Sequence, residues 1–233
     1  MEQPILWLKN GITSMHFQFL IEDQSSEVLI REIMNRLIGS HVKYNSCDYK
    51  SFKGIGGFTK KTTAKETHTG KLLNDLAIYL RGFQRSLQGI EAVLIIVLDN
   101  DDNNPEHFKN ELETLAHDNN ITMDHVFCLA VEEAEAWLLG DKEAVLQAYP
   151  QSKLKVLNAY IQDSICGTWE VLADAVYKGG LAKIQKTKMP YMEIGKLKSE
   201  WAYNISKYMV FEHNLSPSFQ YFLASVSKRI SAI

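Results

Sequence analysis

The sequence predicts an α/β fold: a parallel sheet flanked by helices, with a helical C-terminal part. Three observations predict it. Ala92-Val93-Leu94-Ile95-Ile96-Val97-Leu98 is a continuous apolar run rich in β-branched residues, the pattern of a strand covered on both faces. Residues 16–21 and 125–131 read as two further strands. Segments with helical spacing lie between and after these runs, and strand–helix alternation is the signature of a parallel sheet.

In chain order, residues 16–21 end at Glu22-Asp23-Gln24-Ser25-Ser26-Glu27. Ser25 or Ser26 is the expected cap of a helix over 27–37, where Val28, Leu29, Ile33 and Leu37 recur near helical spacing. Residues 40–69 show no period. A helix over 71–87 carries Leu72, Leu73, Leu76, Leu80 and Phe83 on one face. After the apolar run, Pro105 opens a helix to about 116. The third strand leads into an acidic turn, a short helix closed by Gly140, and a helix capped by Asp141. The remainder reads as helices over 152–165, 168–176, 190–209 and 216–228. Residues 1–150 are expected to form the core, with a basic insert at about 40–70. Residues 151–233 are expected to be a helical subdomain packed on it.

Hydrophobic content of 45% and charged content of 23% are those of a globular protein, which excludes a disordered or fibrous chain. No stretch reaches the length of a membrane span, and no secretion signal is visible at the start. Three scattered cysteines, Cys47, Cys128 and Cys166, argue against a zinc site or disulfide framework and fit a reducing cytoplasm. The net charge of −3 hides an asymmetry. Residues 1–150 carry 14 Lys+Arg against 22 Asp+Glu, and residues 151–233 carry 11 against 6. An acidic centre beside basic regions suits a metal site approached by a polyanion.

The acids sit at strand ends. Glu22 follows the first strand, Asp99, Asp101 and Asp102 the second, and Glu132, Glu133 and Glu135 the third. In a parallel sheet these ends share one edge, where open α/β sheets bind ligands. Crowded carboxylates repel one another, and a hard divalent cation such as Mg²⁺ or Mn²⁺ compensates them with its preference for oxygen ligands. The plainer reading stays open beside this one, since Asp and Asn after a strand also form turns and cap helices.

Ile21-Glu22-Asp23-Gln24-Ser25-Ser26-Glu27, Val97-Leu98-Asp99-Asn100-Asp101 and Val131-Glu132-Glu133-Ala134-Glu135-Ala136-Trp137-Leu138-Leu139-Gly140-Asp141 together resemble the Toprim pattern of topoisomerases, primases and related nucleases. More closely, the chain resembles a Toprim-like family of uncharacterised bacterial proteins, domain of unknown function 4276. Ser216-Pro217-Ser218-Phe219-Gln220-Tyr221-Phe222-Leu223 adds to that likeness. The resemblance implies a Toprim-like (Rossmann-like) core and a Mg-dependent nuclease. Glu22 would be the general acid/base, Asp99 and Asp101 the metal ligands with Asp102 beside them, and Glu133 and Glu135 would hold a second ion or orient the first. It also implies an ATPase partner and a role in defence against phage. Where many Toprim proteins have Gly after the first Glu, this chain has Asp23.

Lys53, Lys60 and Lys61, set among Gly54, Gly56 and Gly57, form a basic loop expected to contact a phosphate backbone. The loop lacks the spacing of a Walker motif. Trp137 is expected in the core. Tyr191, Trp201, Tyr203 and Tyr208 lie near Lys186, Lys188, Lys196, Lys198 and Lys207; they could stack bases, but core packing is the preferred expectation. Two further readings stand beside the nuclease: a non-catalytic scaffold for nucleic acid, a nucleotide or an ATPase, and, ranked last, a haloacid-type phosphatase. A cytoplasmic protein with no membrane partner is expected, with homo-oligomerisation left open.

Overall fold

The computed structural model describes residues 14–39, 45–54, 56, 71–164 and 167–231. Four strands form one parallel sheet in the order β2-β1-β3-β4: β1 (Met15–Ile21), β2 (Asn45–Ser51), β3 (Ala92–Asp99) and β4 (His125–Ala130). The chain leaves β1 toward one side to reach β2 and returns past β1 to reach β3. Winding therefore reverses between β1 and β3, and such a reversal opens a crevice at the strands' carboxyl ends.

Side-chain parity divides the sheet into two apolar layers. Phe17, Phe19 and Ile21 of β1, Val93, Ile95 and Val97 of β3, and Val126, Cys128 and Ala130 of β4 face one layer. Helix α1 (Gln24–Ile38) fills it with Leu29, Ile30, Ile33 and Met34. Leu20, Leu94, Ile96, Leu98, Phe127 and Leu129 face the other, against α2 (Leu72–Ser86) and α3 (Pro105–Asp118). This two-faced burial is why β3 is apolar at every position up to Leu98.

After β4 come α4 (Glu135–Leu139), α5 (Lys142–Ala148), α6 (Leu154–Ala159), α7 (Thr168–Val176), α8 (Gly180–Thr187), α9 (Tyr191–Ser206) and α10 (Pro217–Ser231). They add Leu157, Leu172, Trp201, Ile205, Phe219 and Phe222 to the α1 layer. Trp137 is fully buried there, with ring centroids 5.7 and 5.0 Å from Phe219 and Phe222. Its indole N–H donates to Ser218 Oγ at 3.0 Å. Asp163 accepts from the Ser216 hydroxyl and the Ser218 amide, which fastens the start of α10. Gly140 ends α4 as expected; a side chain there would collide with the Asn214 amide group, which donates to the Trp137 carbonyl at 2.7 Å.

Several expectations are corrected. Asp23, not Ser25 or Ser26, caps α1, accepting from the Ser26 amide at 2.8 Å and the Ser25 hydroxyl at 2.9 Å. The stretch without a period contains β2, a half-exposed edge strand whose polar side chains hide its pattern. Of the helix expected over 152–165, residues 152–164 are helical only over α6, and residue 165 lies outside the described residues; α8 was not foreseen. No helix among the described residues is long and apolar enough to cross a membrane.

Because sheet and C-terminal helices share one apolar layer, Phe222→Ala should destabilise the whole chain by about 3–4 kcal/mol. Urea unfolding followed by circular dichroism and by tryptophan fluorescence should give one coincident transition. Separate transitions would mean that the helical part folds independently.

Candidate functional site

The sheet places Glu22 beside Asp99. Ile21 pairs with Val97, and Glu22 one residue on and Asp99 two residues on both lie at the carboxyl ends of the two strands, at the winding reversal. The Glu22 amide donates to the Val97 carbonyl at 3.1 Å. In return, the Asp99 amide donates to Glu22 Oε2 at 2.9 Å. Both residues are buried. Asp99 keeps the parity of Val93, Ile95 and Val97, so its carboxyl belongs to the α1 and α9 layer, where Oδ1 accepts from the Ala134 amide at 3.1 Å.

The turn after β3 divides its residues between two jobs. Asn100 and Asn103 close it on each other: Asn103 Nδ2 donates to the Asn100 carbonyl at 2.8 Å, and Asn100 Nδ2 to the Asn103 carbonyl at 2.6 Å. Asn104 caps α3, accepting from the His107 amide at 3.0 Å. Asp101 takes a left-handed conformation, φ 46°, and its amide donates to the Glu132 carbonyl at 3.1 Å. Its side chain and that of Asp102 are exposed.

The turn after β4 is acidic for a local reason as well. Glu132, also left-handed at φ 63°, accepts from the amides of Gly167 and Thr168. Glu133 Oε2 accepts from the Trp169 amide at 3.1 Å and the Thr168 hydroxyl at 3.3 Å. Two successive glutamates thus satisfy the open N–H groups at the start of α7, where its own cap residue, Gly167, has no side chain to do so.

One residue at the centre was assigned no site role from sequence. Lys198, on α9, places its ammonium 3.4 Å from Glu133 Oε1 and 3.2 Å from Glu135 Oε2. A signal existed. Lys198 falls on the stripe of Ile194, Trp201 and Ile205 (spacing 4, 3, 4), and a lysine on an apolar stripe needs a partner. What the sequence did not show is that α9 docks on α1, with the Arg36 guanidinium donating to the Ser206 carbonyl at 2.8 Å.

The electrostatics follow from burial. Desolvation and then the Glu22, Asp23 and Glu135 charges push the Asp99 carboxyl well above the carboxylate range, against Lys198. Burial raises Glu135, which Lys198 opposes. Burial and the Glu135 charge lift Glu133 to about 7. Burial would lower the Lys198 ammonium, but Glu135, Glu133, Asp99 and Asp23 override it and hold it far up. Asp101, exposed but partly desolvated at the turn, is raised by that desolvation and by the Asp102 and Glu132 charges, against Lys198. Asp23, the departure from the Toprim pattern, thus both caps α1 and adds charge to the cluster.

The predicted site residues therefore fall into groups. Glu22 and Asp99 are in direct contact. Glu133 and Glu135 meet at Lys198. Asp101 and Asp102 stand on the exposed turn, where Glu132 bears on Asp101. Among the described residues no group of three or more His, Cys, Asp or Glu side chains is arranged to hold a metal ion. Lys198 supplies part of the compensation expected of a divalent cation. Lys53 is exposed, and its carbonyl accepts from the Lys71 ammonium. Lys60 and Lys61 lie outside the described residues. No known protein family, curated protein or solved structure matches this chain.

Lys198→Met should cost about 3 kcal/mol at pH 8, because it leaves the buried Glu135 and the half-buried Glu133 carboxylates without their cation. The loss should shrink at pH 5, where those carboxylates can protonate; a penalty equal at both pH values would mean that only packing was lost.

A second prediction concerns Glu133. Its carboxyl titrates at about 7 in the fold against 4.5 unperturbed. Between those values the folded chain keeps a proton that the unfolded chain has released, so stability falls as pH rises through the window and levels off above it. Glu133→Gln should remove a share on the order of 2 kcal/mol from that fall. Urea midpoints from pH 5 to 8 test it, and parallel curves for wild type and variant would refute the assignment.

Proposed function

We propose that the chain is a Toprim-like, metal-dependent nuclease or phosphodiester-processing protein. The observation that carries the reading is the contact of Glu22 with the backbone of Asp99 at the carboxyl ends of adjacent strands, where winding reverses. Glu22 is the group for proton transfer. The donors beside it are all hard carboxyl oxygens, which suit Mg²⁺ or Mn²⁺, and a bound cation would favour the charged form of Asp99 that burial and its acidic neighbours disfavour. Asp99 and Asp101 would hold the ion, Asp102 lies beside them, and Glu133 and Glu135 orient the cluster through Lys198. A bound ion would supply charge stabilisation at the oxygens of a phosphodiester.

Placement in a bacterial anti-phage system with an ATPase partner rests on the family resemblance alone. The second reading, a non-catalytic scaffold binding nucleic acid, a nucleotide or an ATPase, is favoured by one observation. The ammonium between Glu133 and Glu135 already balances part of the cluster without a metal.

The deciding experiment is cleavage of single- and double-stranded DNA and RNA with Mg²⁺ or Mn²⁺, alone and with the product of a neighbouring ATPase gene. Asp99→Asn and Glu22→Gln should each abolish cleavage. In metal-free buffer Asp99→Asn should be as stable as wild type or more so, since it relieves like-charge repulsion. Cleavage that survives both substitutions rejects the assignment, and no cleavage of any substrate favours the scaffold.

A further inference from the structure

We propose that the segment running from the end of α7 through α8 to the start of α9 is a docking surface for single-stranded nucleic acid, guiding the strand toward the acidic edge of the sheet. The inference rests on the function proposed above and names how its substrate is held. Residues 175–192 contain no Asp or Glu and carry Lys178, Lys183, Lys186 and Lys188, all exposed. A run of one sign along a single segment attracts a phosphate backbone and releases its counterions. At the start of α9, Tyr191 and Met192 are 86% and 77% exposed.

The aromatic residues near these lysines separate in the structure. Trp201 is buried, and the Tyr203 ring is covered by the Lys207 ammonium at 3.4 Å. Among the described residues, neither a ring nor a cation stacks on Tyr191. An exposed tyrosine beside lysines is the arrangement on which unstacked bases settle, whereas a duplex hides its base faces.

Continuity with the site is built into α9. Tyr191 precedes Lys198 by two helical turns, about 10 Å, and Lys198 reaches Glu133 and Glu135. The same helix therefore offers a free aromatic at its start and enters the acidic cluster further on. A lipid surface fits less well. Membrane-surface helices bury a broad apolar face, and the apolar face of α9 is already spent against α1 through Trp201, Ala202 and Ile205.

The test is fluorescence anisotropy with labelled oligothymidine, oligouridine and a duplex of mixed sequence, titrated at several salt concentrations. Wild type should bind the single strands more tightly than the duplex. Replacing Lys178, Lys183, Lys186 and Lys188 together by Ala should lower the salt slope by about 3, at roughly 0.7 per phosphate contact. Tyr191→Ala should weaken binding about tenfold with the slope unchanged, and Tyr191→Phe should bind as wild type. All five positions are exposed, so circular dichroism should be unaltered. Wild-type affinity and slope in the quadruple variant would overturn the proposal. So would a preference for duplex, or binding only to phosphatidylserine vesicles tested in parallel.

Cleavage separates this proposal from the previous one. A protein that binds strands through these lysines and Tyr191 and cleaves none keeps the docking surface and loses the nuclease. A protein that cleaves while its quadruple variant binds as wild type keeps the nuclease and loses the docking surface.

Discussion

Among the described residues, one ammonium dominates the acidic end of the sheet. Glu22, Asp23, Asp99, Glu133 and Glu135 crowd one corner, most of them buried, and Lys198 bears on Asp23, Asp99, Glu133 and Glu135. Carboxylates removed from water without a partner would either protonate or force the corner open. The remaining structure is arranged to deliver that charge. Helix α9 docks on α1, α1 is capped by Asp23, and the start of α7 absorbs the outward oxygens of Glu132 and Glu133.

Two residues next to this corner, Asp101 and Glu132, have left-handed backbones and are joined by a hydrogen bond. Residues other than glycine adopt that conformation at a cost, and Asp tolerates it better than Glu. At Glu132 the conformation is compensated by two amide donors at the start of α7. Strain of this kind persists only where the surroundings over-determine it. Here the constraint comes from both ends, because the turns after β3 and β4 must fit each other as well as their own strands.

The fold was legible where burial is two-sided or periodic. The apolar run of β3 and the spacing of α2 read directly, since each pattern is imposed by neighbours on known faces. Asp141 read directly too, because capping is local: it accepts from the Ala144 amide at 3.0 Å. The edge strand β2 did not read, since Asn45-Ser46-Cys47-Asp48-Tyr49-Lys50-Ser51 meets only one neighbouring strand and keeps polar side chains. At the site, the nearness of Glu22 and Asp99 followed from parallel pairing alone. Lys198 did not, because it lies 65 residues from Glu133 and meets it only through helix docking. Nor could sequence distinguish acids that face inward from acids that cap. Glu132 and Glu133 look alike in the chain, yet both oxygens of one satisfy α7, while the other divides its oxygens between α7 and Lys198.

That division bears on how any phosphate could approach. The exposed side of the edge presents Asp101 and Asp102, which repel an anion unless a divalent cation accompanies it. Among the described residues near this edge, positive charge comes from α9, whose Lys198 is already engaged, and from the lysines that precede it in residues 175–192. A polyanion that follows those lysines inward would bring negative charge close to Lys198 and compete with Glu133 and Glu135 for it. Any carboxylate so released would hold its proton more tightly, since it loses the cation that favoured its charged form. Binding of an anion at Lys198 would thus be coupled to the protonation of this corner through one side chain, and both would bear on the same buried Asp99.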